Sequence, residues 1–257
     1  MPLVVWPAAL AMWGPGDQST KHAHHAMHLV LCRQGTLTVR AQGMKAAEQA
    51  AGVLMGPDVS HSLDARGSEV VLLFVEPESH DGARLQASLE GPLRLFDEAR
   101  RDALLGALPG TGPIPHDAVG PWMESTLEAL SGTPEPPRRV HPRVRKLLRH
   151  LRSDPAPEDT SLEALSEVAG LSPGRLMHAF TDSLGVPLRP YLLWLRLQRA
   201  AGAIAAGRTL GEAAHAAGFS DSAHLTRTFR RMFGTTPSSL QRRSQFVQAK
   251  ARPNAAS

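Results

Sequence analysis

The chain has 257 residues, 42% of them hydrophobic and 20% charged, with a formal net charge of +4 and one cysteine, Cys32. That length suffices for two domains with separate cores. The lone cysteine excludes an internal disulfide framework and a four-cysteine zinc site. No stretch approaches the roughly 18 to 20 apolar residues of a membrane span, and the start lacks a basic leader and a cleavage site, so a soluble cytoplasmic protein with no membrane partner is expected.

Residues 20–80 alternate and turn like strands: His28 to Cys32, Thr36 to Arg40, Gly52 to Met55 and Val70 to Val75, punctuated by Gly35, Gly43, Gly56-Pro57 and Gly67. The pattern predicts a small β-sandwich or barrel within residues 1–80. Four of the 12 histidines cluster here: His22, His24, His25 and His28. On one extended strand His22, His24, His28 and Cys32 would share a face, with His25 on the other. The spacing Gly16, His22, His24, His28, Gly35 resembles the first cupin motif, with His28 standing where that motif has Glu. Gly52, Pro57 and His61 fit the second motif loosely. The resemblance implies a cupin-like barrel, with His22, His24, His28 and His61 as ligands for Zn, Fe, Ni or Cu, metals that neutral imidazole suits. The other reading of the same histidines is a polar lining for an organic effector, without metal. Cys32 is either a further ligand or a packing residue. Trp6, Trp13 and Trp122 are candidates for an effector pocket or for the core.

Residues 81–133 change character. Apolar residues near helical spacing predict helices over Leu93–Leu105 and Trp122–Leu130, joined by the Pro/Gly-rich stretch 109–115. Such helices would pair between subunits or cover the barrel of their own chain. The proline-rich run around Pro134, Pro136 and Pro137 predicts a linker at 134–141, followed by a helical domain at 142–244 and a tail at 245–257.

The charge is divided along the same boundary. Residues 1–140 hold 11 Lys and Arg against 16 Asp and Glu, while residues 141–257 hold 17 against 8, nearly all of the basic ones arginine. Only the back half is expected to meet a polyanion, and arginine suits bidentate contacts to phosphate or guanine.

The back half also repeats itself. Leu162–Ser172 aligns with Leu210–Ser220, each a short amphipathic stretch ending at a glycine, Gly170 or Gly218, able to adopt positive φ. A turn and a second helix follow each, as in a helix-turn-helix. In the first second-helix Leu176 and Phe180 face inward, leaving Gly174, His178 and Thr181 outward with Arg175 on the flank. In the second, Leu225 and Phe229 face inward. Ala223, Arg227 and Arg230 face outward with His224 and Arg231 beside them, and Ser222 and Thr226 complete the candidate contacts. The outward stripe of such a helix enters the major groove. A connecting helix from about Pro190 to Ala206, some 25 Å long, would set the two helices near one DNA turn apart.

Over residues 142–243 the chain resembles the AraC/XylS family of bacterial regulators, most strongly at Gly218-Phe219, Leu225, Arg227, Phe229-Arg230-Arg231, Gly234 and Thr236-Pro237. The first unit departs from that pattern, with His178 where Arg is usual and Leu188 where Pro is common. The resemblance implies sequence-specific binding to double-stranded DNA, control of transcription initiation (more often activation) with RNA polymerase as partner, and a small-molecule or metal effector. It further implies a homodimer formed through the helices of 81–133. The expected fold is α+β: an N-terminal cupin-like β-barrel with flanking helices and a C-terminal all-α domain with two helix-turn-helix units. The alternative function is a metal-dependent cupin enzyme with an accessory DNA-binding domain. It would need catalytic acids or nucleophiles beside the histidines, where the nearest acids, Asp58 and Asp64, read as turn residues.

Overall fold

The computed structural model describes residues 3–238 apart from 7, 133–139, 152, 154–156, 158 and 235. The expected tail at 245–257 and all but the end of the expected linker lie outside the described residues.

The front half builds two antiparallel sheets. The larger orders its strands β1-β2-β8-β3-β6-β9: Leu3–Trp6, Ala9–Pro15, Glu69–Val75, Met27–Cys32, Gly52–Met55 and Leu93–Phe96. The smaller orders them β5-β4-β7: Glu48–Ala50, Leu37–Ala41 and His61–Asp64. The sheet therefore starts before residue 20, and it recruits β9 from a segment expected as helix. Leu93 and Leu95 pair with Met55 and Val53 of β6. The helix that follows, α2 (Glu98–Leu105, after α1 at His80–Ala87), begins only past Asp97, whose carboxylate accepts from the Arg100 amide at 2.7 Å.

Strand alternation assigns the two faces of the larger sheet. Met27, Leu29 and Leu31 pack with Leu104, Trp122 and Leu127, beneath α2 and α3 (His116–Ser131). The apolar faces of these helices thus lie against the sheet of their own chain. Trp13 and Trp122 belong to this core, and Trp122 Nε1 donates to the Leu104 carbonyl at 2.9 Å. The Trp6 side chain lies outside the described residues. On the opposite face Val30, Cys32, Val53 and Met55 pack against Leu37, Val39 and Leu63 of the smaller sheet.

The C-terminal domain comprises α4 (Pro142–Leu151), α5 (Leu162–Ala169), α6 (Pro173–Leu184), α7 (Leu188–Ala205), α8 (Leu210–Ala216) and α9 (Ser222–Phe233). The first helix-turn-helix, α5–α6, closes around Leu147, Leu165, Leu176, Phe180 and Tyr191. The second, α8–α9, closes around Trp194, Leu197, Ala214, Leu225 and Phe229. The turn glycines Gly170 and Gly218 have the expected positive φ, 64° and 78°.

The second core does not stop at the domain edge. Leu10, Met12, Ala26 and Phe74 join it, against Trp194, Phe229, Met232 and Phe233. One face of the larger sheet is therefore covered partly by the smaller sheet and partly by the C-terminal domain. The second helices of both units, α6 and α9, end against the N-terminal half. The His25 and Ala26 amides donate to the Arg231 and Met232 carbonyls at 2.8 and 3.3 Å, and the His80 amide donates to the Gly185 carbonyl, just past α6, at 2.5 Å. These bonds satisfy carbonyls that a helix end leaves without intrahelical partners.

Candidate nucleic-acid interface and histidine site

The N-terminal parts of α6 and α9 face solvent. On α6, Gly174, Arg175 and His178 are exposed, and Thr181 is half-buried with its hydroxyl donating to the Met177 carbonyl at 3.0 Å. Met177 itself is 46% exposed and shares the stripe of Gly174, His178 and Thr181. The spacing Gly174, Met177, Thr181 was its signal, masked because an apolar residue in an amphipathic helix is ordinarily assigned to the core. On α9, Ala223, Arg227, Arg230 and Arg231 are exposed while Ser222, His224 and Thr226 are half-buried. Asp221 caps this helix by accepting from the His224 amide at 2.6 Å, which holds its carboxyl below the ordinary range. The His224 ring is tied back to Ser220 Oγ at 3.1 Å. Leu225 and Phe229 are buried, so the outward stripe is arginine-rich.

The histidine site stands at the seam between barrel and C-terminal domain. His22 and His61 face each other as a backbone bridge, exchanging N–H···O bonds of 2.9 and 2.8 Å. The Nδ1 atoms of His22, His24 and His61 lie 2.7, 2.9 and 2.8 Å from the carbonyls of Thr20, Ala26 and Val59. A carbonyl only accepts, so these contacts assign the proton to Nδ1 and leave an Nε2 lone pair on each ring, that of His24 lying 3.2 Å from His28 Nδ1. The ligand atoms of these three histidines lie within 4.8 Å of one another, and His61 Nε2 is buried without a partner. Burial pushes His24 down to about 3 and His61 down to about 4, keeping both imidazoles neutral, the form that binds metal. Three imidazoles, each oriented by a backbone carbonyl, fit Zn, Fe, Ni or Cu.

His28 stands outside this triad. Its ring stacks on Phe74 at 4.4 Å, its Nδ1 lies 3.2 Å from His24 Nε2, and burial pushes its pKa well below the ordinary value. The expectation that one strand carries His22, His24 and His28 fails locally: β3 begins only at Met27, and residues 22–26 turn instead. His25 leaves the cluster, its Nδ1 3.2 Å from Asp58 Oδ2. Cys32 packs between the sheets, and burial raises its thiol to about 11, the setting of an inert thiol.

Above the triad lies Gly234, the C-cap of α9, with φ 67°. A Cβ built there would stand 2.2 Å from His22 Cδ2, 2.6 Å from His22 Nε2 and 2.7 Å from His24 Cδ2.

Residues 165–243 match the helix-turn-helix domain family. The chain is 29% identical over 213 residues to the HTH-type transcriptional regulator RipA of Corynebacterium diphtheriae, covering 81% of this chain and 58% of that protein. It is 34% identical over 107 residues to RipA of Corynebacterium glutamicum, covering 42% and 32%. The chain thus spans less than two thirds of the length of these curated relatives. A solved structure of ToxT from Vibrio cholerae O395 aligns over 91% of this chain and 95% of that one, with a TM-score of 0.45 and 12% identity. No described helix is long and apolar enough to cross a membrane.

Proposed function

We propose that the chain, whose residues 165–243 match a helix-turn-helix domain, is a sequence-specific regulator of transcription initiation of the AraC type whose N-terminal half takes a divalent transition metal as effector. The observation that carries the DNA-binding part is the pair of outward stripes on α6 and α9, joined by the 18-residue α7. Arg227, Arg230 and Arg231 supply phosphate and guanine contacts; Arg175, His178 and Met177 read with less charge. RNA polymerase, and a second copy of the chain on the same DNA, are the macromolecular partners this reading implies. A homodimer would use surfaces other than the inward apolar faces of α2 and α3.

His22, His24 and His61 would hold the metal, which when bound supplies charge and a fixed geometry to the segment around it. Regulation is favoured over turnover because the Gly234 backbone lies on the imidazoles where a substrate would have to sit. Selection of binding sites from random duplexes tests the proposal, paired with elemental analysis of the purified protein. Two half-sites about one helical turn apart are expected, with affinity falling steeply as salt rises, and about one metal per chain after loading. No enriched sequence would sink the DNA reading. Less than about a tenth of a metal equivalent after incubation with Zn, Fe, Ni and Cu would sink the metal reading.

A further inference from the structure

The histidine triad and the second reading helix share one piece of backbone. Residues 22–26 provide two of the three imidazoles, His22 and His24, and also the amides of His25 and Ala26 that bind the last carbonyls of α9. This segment is not part of a strand; its backbone is fixed to the barrel by the His22–His61 bridge and by the Asp58 amide, which donates to the His24 carbonyl at 2.9 Å. Directly above, the Gly234 backbone rests on the rings of His22 and His24 so closely that no side chain fits between. Gly234 also needs its positive φ to end α9 there.

Side chains continue the contact. Phe74 stacks on His28, meets His24 edge-on at 5.6 Å and meets Phe233 of α9 at 5.2 Å. Phe233 in turn meets Trp194 of α7 at 5.5 Å, and Trp194 Nε1 donates to the buried Glu76 carboxylate of the barrel. The C-terminal end of a helix carries partial negative charge and favours a cation beside it. The end of α9 is the end that faces the triad.

We propose that the last turn of α9 is the roof of the histidine metal site, so that a divalent metal on His22, His24 and His61 latches the second reading helix onto the barrel. The proposal rests on the metal reading above and adds its direction: metal favours the docked domain, and by reciprocity the docked domain favours metal. The recognition stripe stays uncovered in the docked state, since Arg227, Arg230 and Arg231 are exposed there. The latch therefore sets where the helix is held and leaves its base-facing residues free.

Hydrogen exchange of the full chain, with chelator and then with Co²⁺ or Zn²⁺, tests this without any variant. The His25 and Ala26 amides are expected to exchange at least about tenfold more slowly with metal bound. Co²⁺ affinity, read from its absorption spectrum, is expected to fall about tenfold or more in Gly234→Asn, which tolerates the left-handed cap but fills the cradle, and to fall also in Trp194→Phe. Metal binding with unchanged exchange at those two amides and unchanged affinity in both variants overturns the latch and leaves the metal reading standing. Faster exchange with metal bound overturns it too, because metal would then release the domain. Failure of Co²⁺, Zn²⁺, Fe²⁺, Ni²⁺ and Cu²⁺ alike to bind overturns the two together.

Discussion

Arg227 and Met177 are both exposed, on α9 and α6, and on the proposed DNA reading they would meet different chemistry. Arg227→Ala is expected to cost about 1 to 3 kcal/mol on the selected site at fixed salt, the loss of a base or phosphate contact; unchanged anisotropy titrations would remove α9 from the reading role. Met177 has no charge, and an apolar side chain in the major groove meets the thymine methyl. Met177→Ala is therefore expected to cost about 0.5 to 1 kcal/mol, roughly one buried methylene, at a thymine in the first half-site. The same substitution should cost nothing where that thymine is replaced by uracil, and an equal loss on both duplexes would contradict the methyl contact. The buried histidines make a prediction of the opposite kind. His24, His28 and His61 are held below their ordinary value of 6.5, so the unfolded chain takes up their protons first as pH falls. The metal-free protein should keep its full stability above about pH 6.5 and lose it toward about pH 4, by up to about 1.4 kcal/mol per pH unit for each histidine. Urea midpoints in chelator at several pH values measure this, and His28→Leu should flatten the profile. The grouping of His22, His24 and His61 was legible in part, since His22 and His24 lie two residues apart and His61 stands in a second motif that fits only loosely. The exclusion of His28 was not, because strand parity holds only along a strand, and β3 starts at Met27.

At the scale of elements, backbone conformation decides which glycines matter. Gly170 ends α5 at φ 64°, with Arg143 Nη1 donating to its carbonyl at 2.5 Å. Gly211 lies inside α8, exposed and with nothing within 4 Å of a built Cβ. Gly170→Ala should destabilise the protein by about 1 kcal/mol or more, and Gly211→Ala should stabilise it by about 0.5 to 1 kcal/mol. Thermal midpoints shifting in the same direction for both would contradict the assignment of the two conformations. The helix-turn-helix repeats were readable for the same reason: a left-handed glycine between two amphipathic stretches leaves a local mark. The strand at 93–96 was misread because Leu93, Leu95 and Phe96 satisfy either period over so few residues. Asp97 was the sign of the true helix start. Its carboxylate caps α2, so the preceding residues were free to pair with β6.

The whole molecule is held together by a core that belongs to both halves. Leu10, Met12 and Phe74 from the barrel and Trp194, Phe229 and Phe233 from the C-terminal domain form one cluster. A protease site placed in 133–139 and cleaved is expected to leave two pieces that still co-elute on size exclusion; separate peaks would contradict a shared core. The sequence could not reveal this joint. Alternating apolar residues in β2 and β8 announce a buried face, but nothing local says whether a sheet or a distant helix buries it. The N-terminal half also binds the backbone just past α6, from His80 of α1 to Gly185, and the last turn of α9, at Arg231 and Met232. On the proposed DNA reading, two heads held on one frame would have to find their grooves at once. About five added base pairs between half-sites turn the second groove to the far side of the duplex. On the proposed DNA reading, a protein held this way would bind with an affinity set by how tightly its DNA is wound, so twist would become a second input beside the effector.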